Sequence, residues 1–351
     1  MVVVGGITRL TLSGLSITEW KPVIGIIPPL SDADWAAEFA KYQQIPEYQA
    51  VHSGMTLAEF KGIFYWEYGH RLLGRLIGVA FAAPFLWFLS RRQLPRRLAA
   101  PLAVILLLGF VQGGLGWYMV KSGLADRIEV SQYRLVAHLA LALVIYGAIL
   151  WTALNLLLSA QHPFPTPGTP ALAGGRPAAP PQAAEGRVGG GWRRAAETVI
   201  ALVTLNILAG GFAAGTRAGL TYNTFPLMDG RLVPAGYGQL QPFYRNWFEN
   251  IAAVQFDHRA LALTVAASVL VMLATGLRAS LPSPARTALY LLLLATILQI
   301  ALGIGTLLLV VPIPLAAAHQ AGAVLLLTAA IYFRHTLHPT APMDEGVTAP
   351  I

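Results

Sequence analysis

Long apolar runs, separated by short polar or basic segments, set the pattern of this chain. A helix needs about 20 apolar residues to cross about 30 Å of hydrocarbon. Seven runs have about this length, at about residues 67–89, 98–120, 134–158, 195–215, 256–277, 287–310 and 315–333. Runs of this length and apolar character predict an all-α membrane protein.

The start of the chain predicts part of an eighth helix. The segment MVVVGGITRLTLSGL is similar to ILAGGFAAGTRAGL, which covers residues 207–220. Four pairs of positions correspond: Gly5 with Gly210, Gly6 with Gly211, Gly14 with Gly219, and Leu15 with Leu220. We therefore expect a truncated first helix, represented only by its last turns.

The chain also repeats around four histidines. EYGHRLLGRLIG around His70 resembles QFDHRALALTV around His258, and VAHLALAL around His138 resembles AAHQAGAVLLL around His319. The repetition predicts an eight-helix bundle made of two four-helix halves. Because four is an even number, both halves start on the same side of the membrane, so the repeat is parallel.

This repeat predicts the domain organisation. Residues 1–158 form the N-terminal half and residues 195–338 the C-terminal half. Residues 159–194 are rich in Pro, Gly and Ala, which is typical of a flexible linker, and residues 339–351 are a tail.

Composition agrees with a membrane protein, since 56% of residues are hydrophobic, 11% are charged and the mean hydropathy is +0.59. A net charge of +8 also raises the alternative of nucleic-acid binding, but the basic residues flank apolar runs, which favours a role in membrane orientation and no nucleic-acid partner. The basic segments predicted to be cytoplasmic are 91–97, the linker up to 194, and the connections carrying Arg278, Arg286 and Arg334. The segments predicted to face the outer side are 13–65, 121–133, 216–253 and 311–314.

Histidine is costly inside a bilayer, so a histidine in a spanning segment is a candidate functional residue. His70, His138, His258 and His319 each fall in the predicted first turns of a helix that enters from the outer side. Any one of them alone is as well explained by a hydrogen bond across a helix interface or a proton path. As pairs, however, two imidazoles facing inward from a four-helix bundle can occupy both axial positions of one haem.

Other metals fit this pattern less well. Zinc requires three or four ligands, and the absence of cysteine excludes thiolate sites and disulfides. The glycine-rich segments 111–119 and 298–306 fit either close helix packing or room for a macrocycle. Four arginines near the outer boundary are candidate partners of haem propionates, with snorkelling to the interface as the alternative. They are Arg9, Arg71, Arg217 and Arg259.

The two halves differ three residues before the first histidine, where the first half has Glu67 and the second has Gln255. Residues three apart share a helix face, so the Glu67 carboxyl group is expected to reach the edge of a haem held by His70. The alternative is an exposed glutamate that caps the helix. Asp257 lies on another face and is a weaker candidate. The asymmetry predicts that one haem reacts and the other transfers electrons.

Together, GGxTRLxxSGLSITEWKPVIGIIPPL, EYGHRLLGR, AGLTYNTFPLMDG, NWFENIAAVQFDHR and AAAHQAG resemble the haem A synthase family. The resemblance implies an inner-membrane enzyme, with haem sites near the periplasmic side, that oxidises the C8 methyl group of haem O to a formyl group. It further implies Glu67 as the catalytic acid, His70 and His138 flanking the substrate haem, and His258 and His319 ligating a haem b cofactor. The loop cysteines of some members are missing, which is similar to the proteobacterial and mitochondrial branch.

The expected partners are the lipid bilayer, haem O, a haem O synthase and an electron-transfer protein. Two other classes of protein stay open at this point. A bis-histidine dihaem electron-transfer protein of the cytochrome b kind would use all four histidines alike and would not need Glu67. A transporter with parallel repeats would be expected to have helices broken near the midplane.

Overall fold

The computed structural model describes residues 1–21, 24–124, 127–159 and 190–337, which form eleven α-helices and no β-strand. In chain order these are α1 (Val2–Leu10), α2 (Asp32–Tyr42), α3 (Pro46–Val51), α4 (Leu57–Ser90), α5 (Arg96–Leu124), α6 (Gln132–Ser159), α7 (Gly190–Gly215), α8 (Asn246–Glu249), α9 (Ile251–Gly276), α10 (Ser283–Leu308) and α11 (Ile313–Thr336). Seven of them, α4–α7 and α9–α11, are long and apolar enough to cross a membrane. The seven predicted spans and the all-α class are therefore confirmed.

The predicted eighth helix corresponds to α1, which has nine residues and is not of membrane length. It packs against α4 and α11. Gln320 on α11 donates a hydrogen bond to the carbonyl oxygen of Val2 at 3.0 Å. A Cβ atom at Gly6 would lie 1.4 Å from the Gln320 side-chain oxygen, so only glycine permits this close approach. The described residues thus contain seven full spans and one short helix at the predicted place.

Helix α4 begins ten residues earlier than its apolar run. Thr56 and Glu59 form a capping box at its start, which is how a helix satisfies its first free N–H groups. The expectation that His70 lies in the first turns is therefore wrong, because His70 is the fourteenth residue of the helix. The alternative that Glu67 caps the helix is wrong for the same reason. At 1.5 Å per residue α4 is about 51 Å long, which exceeds the about 30 Å of the hydrocarbon layer. With the first turns of α4 outside this layer, the prediction that His70 lies near the outer boundary stays open.

These first turns of α4 belong to a small domain at the end of the bundle that is predicted to face the outer side, the outer domain. With α2 and α3 they enclose an aromatic core that includes Trp35, Tyr42, Phe60 and Phe64. Helix α2 starts with its own capping box, formed by Ser31 and Asp34. The domain gives the loop that follows α1 a packed support.

The two halves meet through reciprocal contacts. The first helix of each half packs against the last helix of the other, α1 against α11 and α7 against α6. The two last helices also touch, and the hydroxyl groups of Tyr146 and Thr328 lie 2.6 Å apart. The central part of the predicted linker, residues 160–189, and the tail lie outside the described residues. Residues 190–194, assigned to the linker, are helical in α7.

Packing is tighter in the second half. In the most hydrophobic stretch of each span, 6% of residues are buried in α4, α5 and α6, against 17–28% in α7, α9, α10 and α11. Tyr146, Leu143 and the other α6 residues that pack on the second half nevertheless join its core.

Candidate functional site

Each of the four predicted histidines packs against a glycine of a neighbouring helix. A Cβ atom built on that glycine would approach the imidazole to between 2.8 and 3.1 Å, closer than side chains normally come. The pairs are Gly5 with His70, Gly116 with His138, Gly210 with His258, and Gly303 with His319. Gly5 and Gly210 are the residues that correspond between the two repeats, so the repeat extends to the surroundings of the histidines.

In the His258 pair a backbone carbonyl four residues before the glycine orients the imidazole. His258 Nδ1 lies 3.1 Å from the carbonyl oxygen of Asn206, which leaves Nε2 available as a ligand. Gln112 and Gln299 stand at the equivalent positions before Gly116 and Gly303, but Nδ1 of His138 and of His319 has no hydrogen-bond partner among the described residues.

The second histidine pair has the spacing of axial haem ligands. The ring centres of His258 and His319 are 6.4 Å apart, with an angle of 82° between the ring planes. With about 2.0 Å for each nitrogen–metal bond and about 1.1 Å from that nitrogen to its ring centre, two axial imidazoles on one iron have ring centres about 6.2 Å apart. The spacing of this pair therefore fits a haem iron between them.

The first pair is arranged differently. The Nε2 atom of Gln112 lies 3.3 Å from Nε2 of His138, and the same amide donates to the His138 carbonyl oxygen at 3.0 Å. A metal on that imidazole nitrogen requires the Gln112 side chain to turn away.

Glu67 is buried and lies in a network of hydrogen bonds. One carboxylate oxygen accepts from the Ser16 hydroxyl at 2.8 Å and from the Ile17 backbone N–H at 2.7 Å. The other accepts from Arg71, one turn further along α4. Arg71 in turn donates to the carbonyl oxygens of Ile17 and Glu19. The carboxylate thus holds the loop after α1 against α4.

Gln255 occupies the matching place in the second half, but it donates hydrogen bonds to the loop where Glu67 accepts them. Its amide nitrogen donates to the carbonyl oxygens of Ala218 and Thr221 at 2.8 and 2.6 Å. Its oxygen accepts from Arg259 at 2.9 Å. Arg259 also donates to the carbonyls of Tyr222 and Thr224, the positions that correspond to Ile17 and Glu19. One scaffold therefore carries a carboxylate in one half and a neutral amide in the other.

The four candidate arginines differ in what they bind. Arg71 and Arg259 hold loop carbonyls, but the Nε atom of Arg259 is buried with no hydrogen-bond partner among the described residues. Such a donor fits an additional anionic group, as a propionate would be. Arg9 and Arg217 both pair with Glu129, so this carboxylate joins the two halves at the outer end.

Sequence reasoning missed the residues that support the site. Glu129 carried no signal beyond its place in an outer loop, and Gln112, Asn206 and Gln299 look like ordinary polar residues of spanning helices. The glycine-rich segments contained the right information, since Gly116 and Gly303 lie within the two segments considered as room for a macrocycle. Asp257 accepts a hydrogen bond from Tyr237 at 2.8 Å, away from the histidine pair in its contacts.

Comparison with known proteins gives a concordant result. Residues 1–331 match the COX15-CtaA family, described as a cytochrome oxidase assembly protein. A heme A synthase from Nitrosospira multiformis is 53% identical over 337 residues, 96% of this chain and 89% of the relative. Heme A synthases from Nitrosomonas eutropha and Rhodospirillum centenum are 48% and 49% identical, over 95% and 97% of this chain and 88% and 85% of theirs. A match of this extent, on a fold of seven membrane-length helices, shows that the chain belongs to the COX15-CtaA family.

Proposed function

We propose that this membrane protein is an oxidoreductase that acts on haem and converts the C8 methyl group of haem O to the formyl group of haem A. The names of relatives about 50% identical over most of the chain support this activity. The observation that carries the proposal is the pair of matched histidine sites of which one alone has a buried carboxylate, Glu67, where the other has Gln255.

In this proposal the second half holds the cofactor haem b on His258 and His319. The spacing of 6.4 Å between their ring centres and the tight packing of α7, α9, α10 and α11 support a permanently bound group. The unpartnered Nε of Arg259 is the best candidate donor to a propionate of this haem. When bound, haem b supplies one-electron transfer.

The first half receives the substrate haem between His70 and His138. The Gln112 amide beside His138 supports a site whose side chains rearrange as substrate and product exchange. Arg71 fixes the loop after α1 through two backbone carbonyls and at the same time orients the Glu67 carboxylate. Glu67 is then the group that holds or accepts a proton beside the carbon that reacts.

The loop charges and the proposed reaction also suggest the location of the protein and its partners. Membership of the family supports an inner-membrane location, and the basic connections, predicted to be cytoplasmic, support haem sites near the periplasmic side. A haem O synthase would supply the substrate and a separate electron-transfer protein would take the electrons. The dihaem electron carrier is not favoured, because the asymmetry between Glu67 and Gln255 has no use in a protein whose two haems have equal roles.

Extraction and chromatography of the haems from purified protein tests this function. We expect haem b together with haem O or haem A. Haem b alone would instead support the electron carrier, and a preparation without haem would support the transporter. Membranes lacking the protein's activity should accumulate haem O.

A further inference from the structure

Three polar side chains outside the histidine sites form a chain through the outer domain. The Tyr42 hydroxyl lies 3.0 Å from a carboxylate oxygen of Glu47 and 2.5 Å from Nδ1 of His52. Tyr42 is fully buried and Glu47 is 4% exposed. His52 is half-buried and lines an outer groove of about 610 Å³ together with Glu59 and Trp66. The chain therefore runs from a buried carboxyl group to a groove that is open to solvent.

The donors and acceptors of this chain allow two arrangements of its protons. A tyrosine hydroxyl has one proton to donate, while an ionised carboxylate and an unprotonated Nδ1 can only accept. In one arrangement protonated Glu47 donates to Tyr42, which donates to Nδ1 of His52. In the other the Nδ1–H group of His52 donates to Tyr42, which donates to ionised Glu47, so a shift of protons along the chain converts one arrangement into the other.

We propose that Tyr42, Glu47 and His52 form a proton-transfer chain between the buried carboxyl group of Glu47 and the solvent-open groove that His52 lines. The carboxyl proton of Glu47 moves to the Tyr42 oxygen as the Tyr42 proton moves to Nδ1 of His52. The imidazolium then releases its Nε2 proton to water in the groove. One proton has left Glu47, one has entered water, and Tyr42 is neutral before and after.

The charges around Glu47 support this direction. Burial raises the pKa of Glu47 to about 7; the hydrogen bond from Tyr42 and the charge of Arg9 oppose this effect, and the neighbouring carboxylates add to it. Burial and then Arg217 lower the pKa of His52. Near neutral pH Glu47 therefore exchanges its proton readily, and a His52 imidazolium releases its proton to water. The charged groups that face Glu47 are Arg9 on α1, Glu67 on α4 and Glu129 in the loop before α6.

The role of the chain rests on the proposed function, although its existence does not. Oxidising a methyl group breaks C–H bonds, so protons must leave the site. Glu67 and Glu47 are close enough for the charge on one to affect the other. Release of the Glu47 proton would therefore change the electrostatic field at Glu67 and at its partner Arg71. In this reading Glu47 is a positioning residue that acts through Glu67.

Infrared spectroscopy of the purified, haem-loaded protein in detergent tests the chain directly. We expect a protonated carboxyl C=O band that titrates with a midpoint near 7. This band should be absent in Glu47→Gln. In Tyr42→Phe the band should remain, but its hydrogen–deuterium exchange should be at least about tenfold slower than in the wild type.

Tyr48→Phe is the matched control, because Tyr48 also packs on Tyr42 but its hydroxyl contacts only the Gln43 amide among the hydrogen bonds of the described residues. Its exchange rate should equal that of the wild type. If Tyr42→Phe fails to fold, His52→Leu near the surface breaks the same path and should slow exchange equally. Equal exchange rates in the wild type and in His52→Leu, or a band that persists in Glu47→Gln, would overturn the proposal.

The outcomes also separate this chain from the proposed function. If the carboxyl band behaves as expected but the protein makes no haem A, the proton-transfer chain is supported and the proposed function is contradicted. If haem A forms normally and Tyr42→Phe does not slow the exchange, the chain is contradicted and the proposed function is supported.

Discussion

Glu67→Gln is the substitution that most sharply tests the division of labour between the halves. It keeps the size of the side chain and makes the first half like the second, where Gln255 stands. The wild-type carboxylate accepts from Ser16, Ile17 and Arg71. An amide offers one acceptor oxygen and places its NH₂ group against either the Ile17 N–H or the Arg71 guanidinium. One buried donor therefore loses its acceptor.

That loss sets the expected effect on stability. An unsatisfied buried donor costs about 1–3 kcal/mol, which is less than the 5–15 kcal/mol of a typical folded protein. The variant should therefore fold and keep its low-spin haem b. Loss of a positioned acid or base lowers a rate by about 10²–10⁴, or about 3–5.5 kcal/mol in barrier height. Haem A formation should fall by this factor while haem O, or a hydroxylated intermediate, accumulates.

Ser16→Ala is the matched control for Glu67→Gln. It removes one hydrogen bond to the same carboxylate but leaves the titratable group in place. Haem A formation should stay within a few-fold of the wild type, since the lost bond is worth only about 1 kcal/mol. Haems extracted from cells that carry each variant, separated by chromatography, provide the measurement. Near wild-type haem A in Glu67→Gln would mean that the carboxylate only holds the loop, as Gln255 does in the other half.

Three further outcomes are expected. His258→Ala or His319→Ala should abolish the low-spin haem b absorbance of the purified protein. His70→Ala should keep most of this absorbance and stop turnover. Equal loss of haem b in all three variants would contradict separate roles for the halves. Gly303→Ala would place a methyl group 2.8 Å from the His319 ring, so it should displace this ligand and shift or weaken the haem b spectrum. Gly305→Ala has its nearest contact at 3.4 Å and should leave the haem b spectrum unchanged. Reporter fusions at residue 94 and within 165–190 should report the cytoplasm and fusions near 125 or 235 the outer side; reversed signals would place the histidines at the wrong face.

Much of the fold could be predicted from the amino-acid sequence alone. The seven spans were predictable because a membrane imposes a minimum length of apolar chain, and the structure has a helix at each predicted run. The start of helix α4 could not be predicted from hydropathy. Its first ten residues carry Glu59 and Lys61, so hydropathy assigns them to a loop. They are helical because Thr56 caps them and because Phe60 and Phe64 pack in the outer domain.

The histidines and glycines of the candidate site could be predicted from the sequence, but the residues that hold Glu67 in place could not. Histidine and glycine in membrane helices are unusual enough, or patterned enough, to be noticed in a single sequence. The partners of Glu67 were not, since Ser16 and Ile17 lie some 50 positions away along the chain and bind it through a hydroxyl and a backbone N–H. Glu129 is a similar case, because its role depends on two arginines from different halves. Contacts that close long loops leave no local pattern.

The reciprocal packing of first and last helices has a consequence for the origin of the molecule. When α1 contacts α11 and α7 contacts α6, one kind of surface is used twice, as in a symmetric dimer of identical units. A single four-helix protein that paired with itself would already possess both contacts. Joining two copies of the gene for such a protein would require only a connecting segment and no new interface. Two joined units would then be free to diverge, with a carboxylate in one copy and an amide in the other.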